Sequence, residues 1–162
     1  MQFLIDLFTN SMIMIPICAW MLAQIIKVII NAAVTHEFDI QRLFGDGGMP
    51  SGHSATVMSF AVIAGWSCGF DSLQFAFAGI FASIVMHDAM GVRREAGKQA
   101  TSIKQLAEIV NSMFLDKDQA VRTEKLKEFV GHTPLQVVFG ALLGIIVAIV
   151  YLVIARVQYG VI

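Results

Sequence analysis

The sequence predicts an all-α fold. It is read as a multi-pass membrane helical bundle of about four transmembrane helices, with a cytoplasmic amphipathic helical insertion, in a single membrane domain of residues 1–162. Three observations predict it. The 162 residues are 57% hydrophobic and only 14% charged, whereas a soluble domain is about half apolar and roughly a quarter charged. Four apolar stretches recur, each close to the roughly 20 residues that cross a bilayer. Most of the basic residues crowd into the connections that four such spans would place on one side. The mean hydropathy of +0.73 agrees with this class.

The elements follow in chain order. The opening MQFLIDLFTN has no Lys or Arg and no small-residue cleavage site after it. It therefore reads as the approach to a first membrane helix and not as a signal peptide. That first span is expected at about 11–33. Gln24, Lys27 and Asn31 recur on it at i, i+3 and i+7 and give it one polar face. Two readings of Lys27 stay open: it snorkels to the interface, or it lines a pocket with the other two.

A second span is expected at about 54–70 and a third at about 73–90, joined by FDS, too short for anything but a helical hairpin. A fourth is expected at about 134–157. Hydrocarbon offers no partner for backbone polar groups, so each span satisfies its own as a helix. Gly140, Gly144, Ala78 and Ala82 suit close helix packing. Cys18 and Cys68 lie in apolar stretches and read as small buried hydrophobes, not a disulfide.

Residues 91–133 form a polar helical insertion. Ile103, Leu106, Val110 and Met113 recur at helical spacing, as on an amphipathic helix. Asp116 or Asp118 then caps a second helix carrying Val121, Leu126 and Phe129, with Gly131 as its stop.

Four spans put both termini on one side and the 34–53 and 91–133 connections on the other. Of the eleven Lys and Arg, the longer connection holds Arg93, Arg94, Lys98, Lys104, Lys117, Arg122, Lys125 and Lys127, and the shorter one holds Arg42. Arg156 stands alone opposite. The positive-inside rule places both connections in the cytoplasm of a cell (inner) membrane and both termini outside it. Membrane lipids are the expected partners. A net charge of −1 gives no ground for a nucleic-acid partner. An oligomer stays open.

The chemistry concentrates in GDGGMPSGHSAT, residues 45–56. Proline is tolerated in a first helical turn. Ser51 and the N–H groups of Gly52 and His53 then stand at a helix start, where unpaired donors and the helix dipole favour an anion such as phosphate. Glycines allow close backbone approach. His53 is placed to donate a proton to a leaving group; the plainer reading is a Gly-rich connection with an interfacial histidine. A second histidine, His132, stands at the mouth of the fourth span, on the same side of the membrane. It is followed by Pro134, Val137 and Gly140.

Together, PSGH and this histidine spacing resemble the type 2 phosphatidic acid phosphatase and vanadium haloperoxidase superfamily. Pro50, Ser51, Gly52 and His53 match its second signature; His132, Pro134 and Gly140 match its third. The chain is most similar to a small divergent branch of bacteria and plastids, through residues 47–55, 88–100 and 131–134. The resemblance implies that His132 attacks phosphorus and that His53 protonates the departing alkoxide. Ser51 and the Gly52 N–H would hold phosphoryl oxygens. It requires no metal and no other cofactor.

Three departures from the superfamily pattern stand out. Leu126 occupies the place of an arginine six residues before His132, so Arg93 or Arg94 would supply that charge. Val34 replaces an arginine seven residues after Lys27, and the next arginine is Arg42. Lys98 falls within the matching 88–100 block and joins these basic candidates for the phosphate. Gln136 replaces the aspartate that orients the nucleophile; a neutral amide can fix a tautomer but not stabilise an imidazolium, a role open to Asp88. His87 reads as structural or interfacial, and His36 as loop surface.

The expected function is hydrolysis of a lipid phosphate or diphosphate. The alternative is a non-catalytic protein that binds or transports lipid phosphates and keeps the anion site. A metal site of His53, His87, Asp88 and His132 lacks any local ligand motif.

Overall fold

In the computed structural model, residues 1–36, 48–113 and 133–159 are described, with backbone only at 92–94 and 159. The described residues form helices and no strand: α1 Gln2–Thr9, α2 Ser11–Thr35, α3 Gly52–Cys68, α4 Leu73–Met90, α5 Val92–Met113 and α6 Pro134–Tyr159. The chain is an all-α membrane helical bundle. Long apolar side chains such as Ile29, Phe77, Ile80, Ile84, Ile146 and Val153 point outward from it. In water that surface would far exceed the apolar patches soluble monomers tolerate; against lipid it is the face such a bundle presents.

A break separates the N-terminal approach from the first span. Asn10 is extended, and its side chain accepts a 2.9 Å hydrogen bond from the Met12 N–H. It thus caps α2 and detaches the short α1. α2 then runs 25 residues, about 37 Å by helical rise, and closes on His36 in the left-handed conformation at φ 56°.

α3 is the central helix, packed against α2, α4 and α6. Its buried positions are mostly small: Gly52, Ser54, Ala55, Ser59, Ala61, Ala64 and Gly65. Small residues let backbones approach closely, which drives association where no hydrophobic effect operates between helices. α6 answers with its own glycines: a Cβ on Gly140 would strike the Ser51 carbonyl oxygen, and one on Gly144 the Ala55 carbonyl oxygen. These matched pairs make α3 and α6 parallel. α2 is antiparallel to α3, since Ala19 and Ala23 pack on Ala55 while Ile15 packs on Ile63. α3's hydroxyls bond within the helix, Thr56 Oγ1 to the Gly52 carbonyl at 2.8 Å and Ser59 Oγ to that of Thr56 at 2.9 Å.

By length and composition, α2, α6 and the 73–113 stretch can each cross a membrane. α3, with 17 residues and about 25 Å, is shorter than the bilayer core. Its neighbours cover it, so its ends need not reach both interfaces. The α3–α4 hairpin forms as expected. Gly69 turns at φ 96°, Ser72 caps α4 by accepting from the Phe75 N–H at 3.2 Å, and Phe70 meets Phe75 edge-on at 5.1 Å.

One expectation changes. Both cysteines are unpaired, as read, but Cys18 and Cys68 are exposed and not buried; their helix faces turn outward, where lipid tolerates a thiol as well as a core does. The third helix ends where expected, before Gly91, which departs from helical geometry at φ −97° and ψ −90°. The expected amphipathic helix is α5, with Ile103, Leu106 and Met113 exposed along it. The second insertion helix, with Asp116, Asp118, Val121, Leu126 and Phe129, lies outside the described residues.

Candidate functional site

The turn before α3 is the meeting point of three helices. Pro50 precedes the helix instead of opening it. Ser51 is the N-cap, its hydroxyl accepting from the Ser54 N–H at 3.3 Å and lying 3.1 Å from the Ser54 hydroxyl. Ser51 is fully buried, and its oxygen serves the cap as an acceptor. Gly52 is buried and His53 half-buried on the first turn of α3.

α6 borders the turn on one side. The Ser51 N–H donates to the Gln136 carbonyl at 3.0 Å, tying the start of α3 to the start of α6. Gln136 itself closes a reciprocal cap. Its Oε1 accepts from the Thr133 N–H at 3.0 Å, and Thr133 Oγ1 accepts from the Gln136 N–H at 3.4 Å. Thr-x-x-Gln ahead of an apolar run is the sequence signature of a capping box, a signal the motif comparison passed over. The residue standing in for an aspartate therefore holds the backbone next to His132. Gln136→Ala should lower the melting temperature by about 2–4 °C, the value of one cap in a chain of this size, and Gln136→Glu should restore it, as read by thermal unfolding in micelles.

α2 borders the turn on the other side. A Cβ on Gly52 would lie 3.1 Å from Trp20 Cδ1, and one on Gly48 would lie 3.0 Å from Lys27 Cγ. Gly48 holds φ +96°, so both its backbone and its packing call for glycine. Lys27 is 5% exposed and lies along the turn, which favours the pocket over the snorkelling reading. Gln24 and Lys27 thus face inward, with the exposed Trp20 touching the turn beside them, while Asn31 turns to Thr35 at 3.4 Å. Trp20 went unread in the sequence, although its i, i+4, i+7 spacing with Gln24 and Lys27 carried the signal. Beyond Lys27, α2 runs on to Thr35 with Ile29, Ile30 and Val34 exposed.

α4 supplies the third border. Ala78 packs on Ala61 and Ala64 of the antiparallel α3. Counting back to Gly52 on α3, and as far forward on α4, reaches 87–90. His87, exposed, and Asp88, half-buried, therefore stand level with the turn. Arg93 and Arg94 open α5 just beyond Gly91. Lys98 pairs with Glu95 at 2.6 Å, both side chains more than half exposed, a pair weak enough to exchange. Arg42 and His132 lie outside the described residues. Among the described residues, no group of three His, Cys, Asp or Glu side chains is placed to hold a metal. An apolar cavity of about 380 Å³ lies near the opposite end of α3, lined by Met12, Phe60, Ala64, Leu73, Gln74 and Phe77, away from this chemistry.

The arrangement presents a helix N-terminus, a buried lysine and a histidine at one turn, a combination suited to an anion. The model of a family described as "Divergent PAP2 family" matches residues 8–147. The chain is also 40% identical, over 151 residues, to "Uncharacterized membrane protein YuiD" of Bacillus subtilis (strain 168), covering 90% of this chain and 96% of that one. No solved structure matches.

Proposed function

The chain belongs to the divergent PAP2 family, and from that premise we propose that it is a membrane-embedded phosphatase of a lipid phosphate or diphosphate. The carrying observation is the 3.0 Å bond from the Ser51 N–H to the Gln136 carbonyl. It joins the helix that bears His53 to the helix whose cap adjoins His132. In this reading a nitrogen of His132 attacks phosphorus, the P–O bond to the lipid breaks, and His53 gives its proton to the leaving oxygen. Water then attacks the phosphohistidine, releasing inorganic phosphate and restoring the imidazole. Lys27 and the Gly52 N–H offset charge on the phosphoryl oxygens, with Arg42, Arg93, Arg94 and Lys98 as further basic groups and Asp88 orienting the nucleophile. Ser51 Oγ accepts in the cap and keeps its own O–H for a phosphoryl oxygen.

Membrane lipids supply the substrate from the leaflet. The chain sits in the cell membrane as a multi-pass protein, with the site on the cytoplasmic side and both termini opposite. A second reading, non-catalytic binding or transport of the same head groups, is favoured by the neutral Gln136 and its engagement in a cap.

The test is phosphate release by the purified full chain in micelles of phosphatidic acid, phosphatidylglycerol phosphate or a polyprenyl diphosphate. Release from one of them is expected, together with a base-stable, acid-labile label on histidine when radiolabelled substrate is quenched. Binding of all three without release overturns the enzyme and leaves the carrier.

A further inference from the structure

We propose that Gln24 is a head-group contact that selects ligands carrying a hydroxyl beside the phosphate. The inference rests on the phosphate site proposed above and adds the feature that distinguishes one phosphate lipid from another.

Gln24 is 6% exposed, and its buried Oε1 has no hydrogen-bond partner among the described residues. Buried polar atoms are nearly always paired, so an orphan acceptor of this kind marks a missing donor. Its position says where that donor would come from. Gln24 lies on α2 between Trp20, which touches Gly52, and Lys27, which touches Gly48. The amide therefore faces the middle of the turn, at Met49, Pro50 and Ser51. Pro50 has no N–H to give. The Ser51 N–H is taken by Gln136, and the Ser51 oxygen accepts in the cap. Among the described residues no group of the turn donates to the oxygen of Gln24.

A fully ionised phosphoryl oxygen offers no proton and does not answer this acceptor. A hydroxyl does, whether the P–OH of a monoester or an alcohol on the carbon skeleton next to the phosphate. Sites built to bond a substrate hydroxyl reject analogues lacking it, because the buried partner is then left unpaired. Leaving Gln24 orphaned in the empty protein costs stability, as binding residues commonly do.

The experiment measures binding of the full chain to mixed micelles of phosphatidic acid, phosphatidylglycerol or phosphatidylmethanol with identical acyl chains, near pH 5, where a phosphate monoester keeps about one proton. Phosphatidylglycerol and phosphatidylmethanol are both diesters of equal charge and differ in hydroxyls. Wild type should bind at least one hydroxyl-bearing lipid about tenfold or more tighter than phosphatidylmethanol. A preference for phosphatidic acid assigns the P–OH, and one for phosphatidylglycerol assigns the alcohol. Gln24→Leu and Gln24→Met should erase the preference. With no lipid added, both should melt about 2–4 °C higher, because an unsatisfied buried carbonyl has been removed. Equal binding of all three lipids by wild type, as a water on Oε1 would give, overturns the proposal. So does a preference that survives in both variants. The two readings fail separately: head-group preference without phosphate release removes the phosphatase and keeps Gln24, while release with an unchanged preference in Gln24→Leu removes Gln24 alone.

Discussion

His132→Ala should leave phosphate release from a lipid phosphate at the background of protein-free micelles, and His53→Ala should lower it by about 10²–10⁴-fold. The two losses differ in kind. Without His132 no covalent phosphoryl intermediate forms, so no substrate rescues the reaction. Without His53 the intermediate still forms, but the lipid alkoxide leaves unprotonated, a penalty of about 2.7–5.4 kcal/mol in the barrier. An aryl phosphate, whose leaving group needs no proton, should therefore recover most of the rate with His53→Ala and none with His132→Ala. Helical content by circular dichroism should match wild type in both; His53 is half-buried on the first turn of α3, outside the small-residue core. Ordinary turnover by His132→Ala would remove the nucleophile from the scheme.

Gly144→Leu should abolish recovery of a monodisperse protein from membranes, and Gly144→Ala should already destabilise it by about 1–3 kcal/mol. A Cβ at Gly144 meets the carbonyl oxygen of Ala55, a backbone atom that cannot rotate away. Moving it means separating α6 from α3, and with it the Gln136 carbonyl from the Ser51 N–H. Gly79 is the control. A Cβ there meets nothing within 4 Å, so Gly79→Ala should raise stability by about 0.5–1 kcal/mol through helix propensity alone. Size-exclusion profiles and thermal unfolding compare all three. Equal stability of Gly144→Ala and Gly79→Ala would contradict the close contact of α3 with α6.

The helices were legible because lipid imposes one rule along each span: continuous apolar composition and small residues where backbones meet. The stretches expected at 11–33, 73–90 and 134–157 appear as Ser11–Thr35, Leu73–Met90 and Pro134–Tyr159. Asn10 and Gly91 bound two of these stretches through their own backbone angles, and the Asn10 side chain caps α2. Outward placement of Cys18 and Cys68 was hidden, since in a bilayer both faces of a helix are apolar and hydropathy no longer separates inside from outside. At the site, polar residues inside apolar helices were the readable signal, and Gln24 and Lys27 are indeed turned inward. Ser51 and Gln136 have a further use that a motif comparison does not see: each side-chain oxygen accepts in a helix cap.

One feature of α2 bears on how such a site would be fed. The helix outlasts Lys27 by eight residues, about 12 Å, with Ile29, Ile30 and Val34 facing out. A phosphate at the turn therefore sits at the depth of greasy side chains, not beyond them. Molecules arriving sideways from the leaflet keep their tails solvated by neighbours throughout, whereas a water-borne monomer must first join the film. Turnover should then follow the mole fraction of substrate among its lipid neighbours, and diluting it with inert phosphatidylcholine at constant total concentration should slow the reaction in proportion.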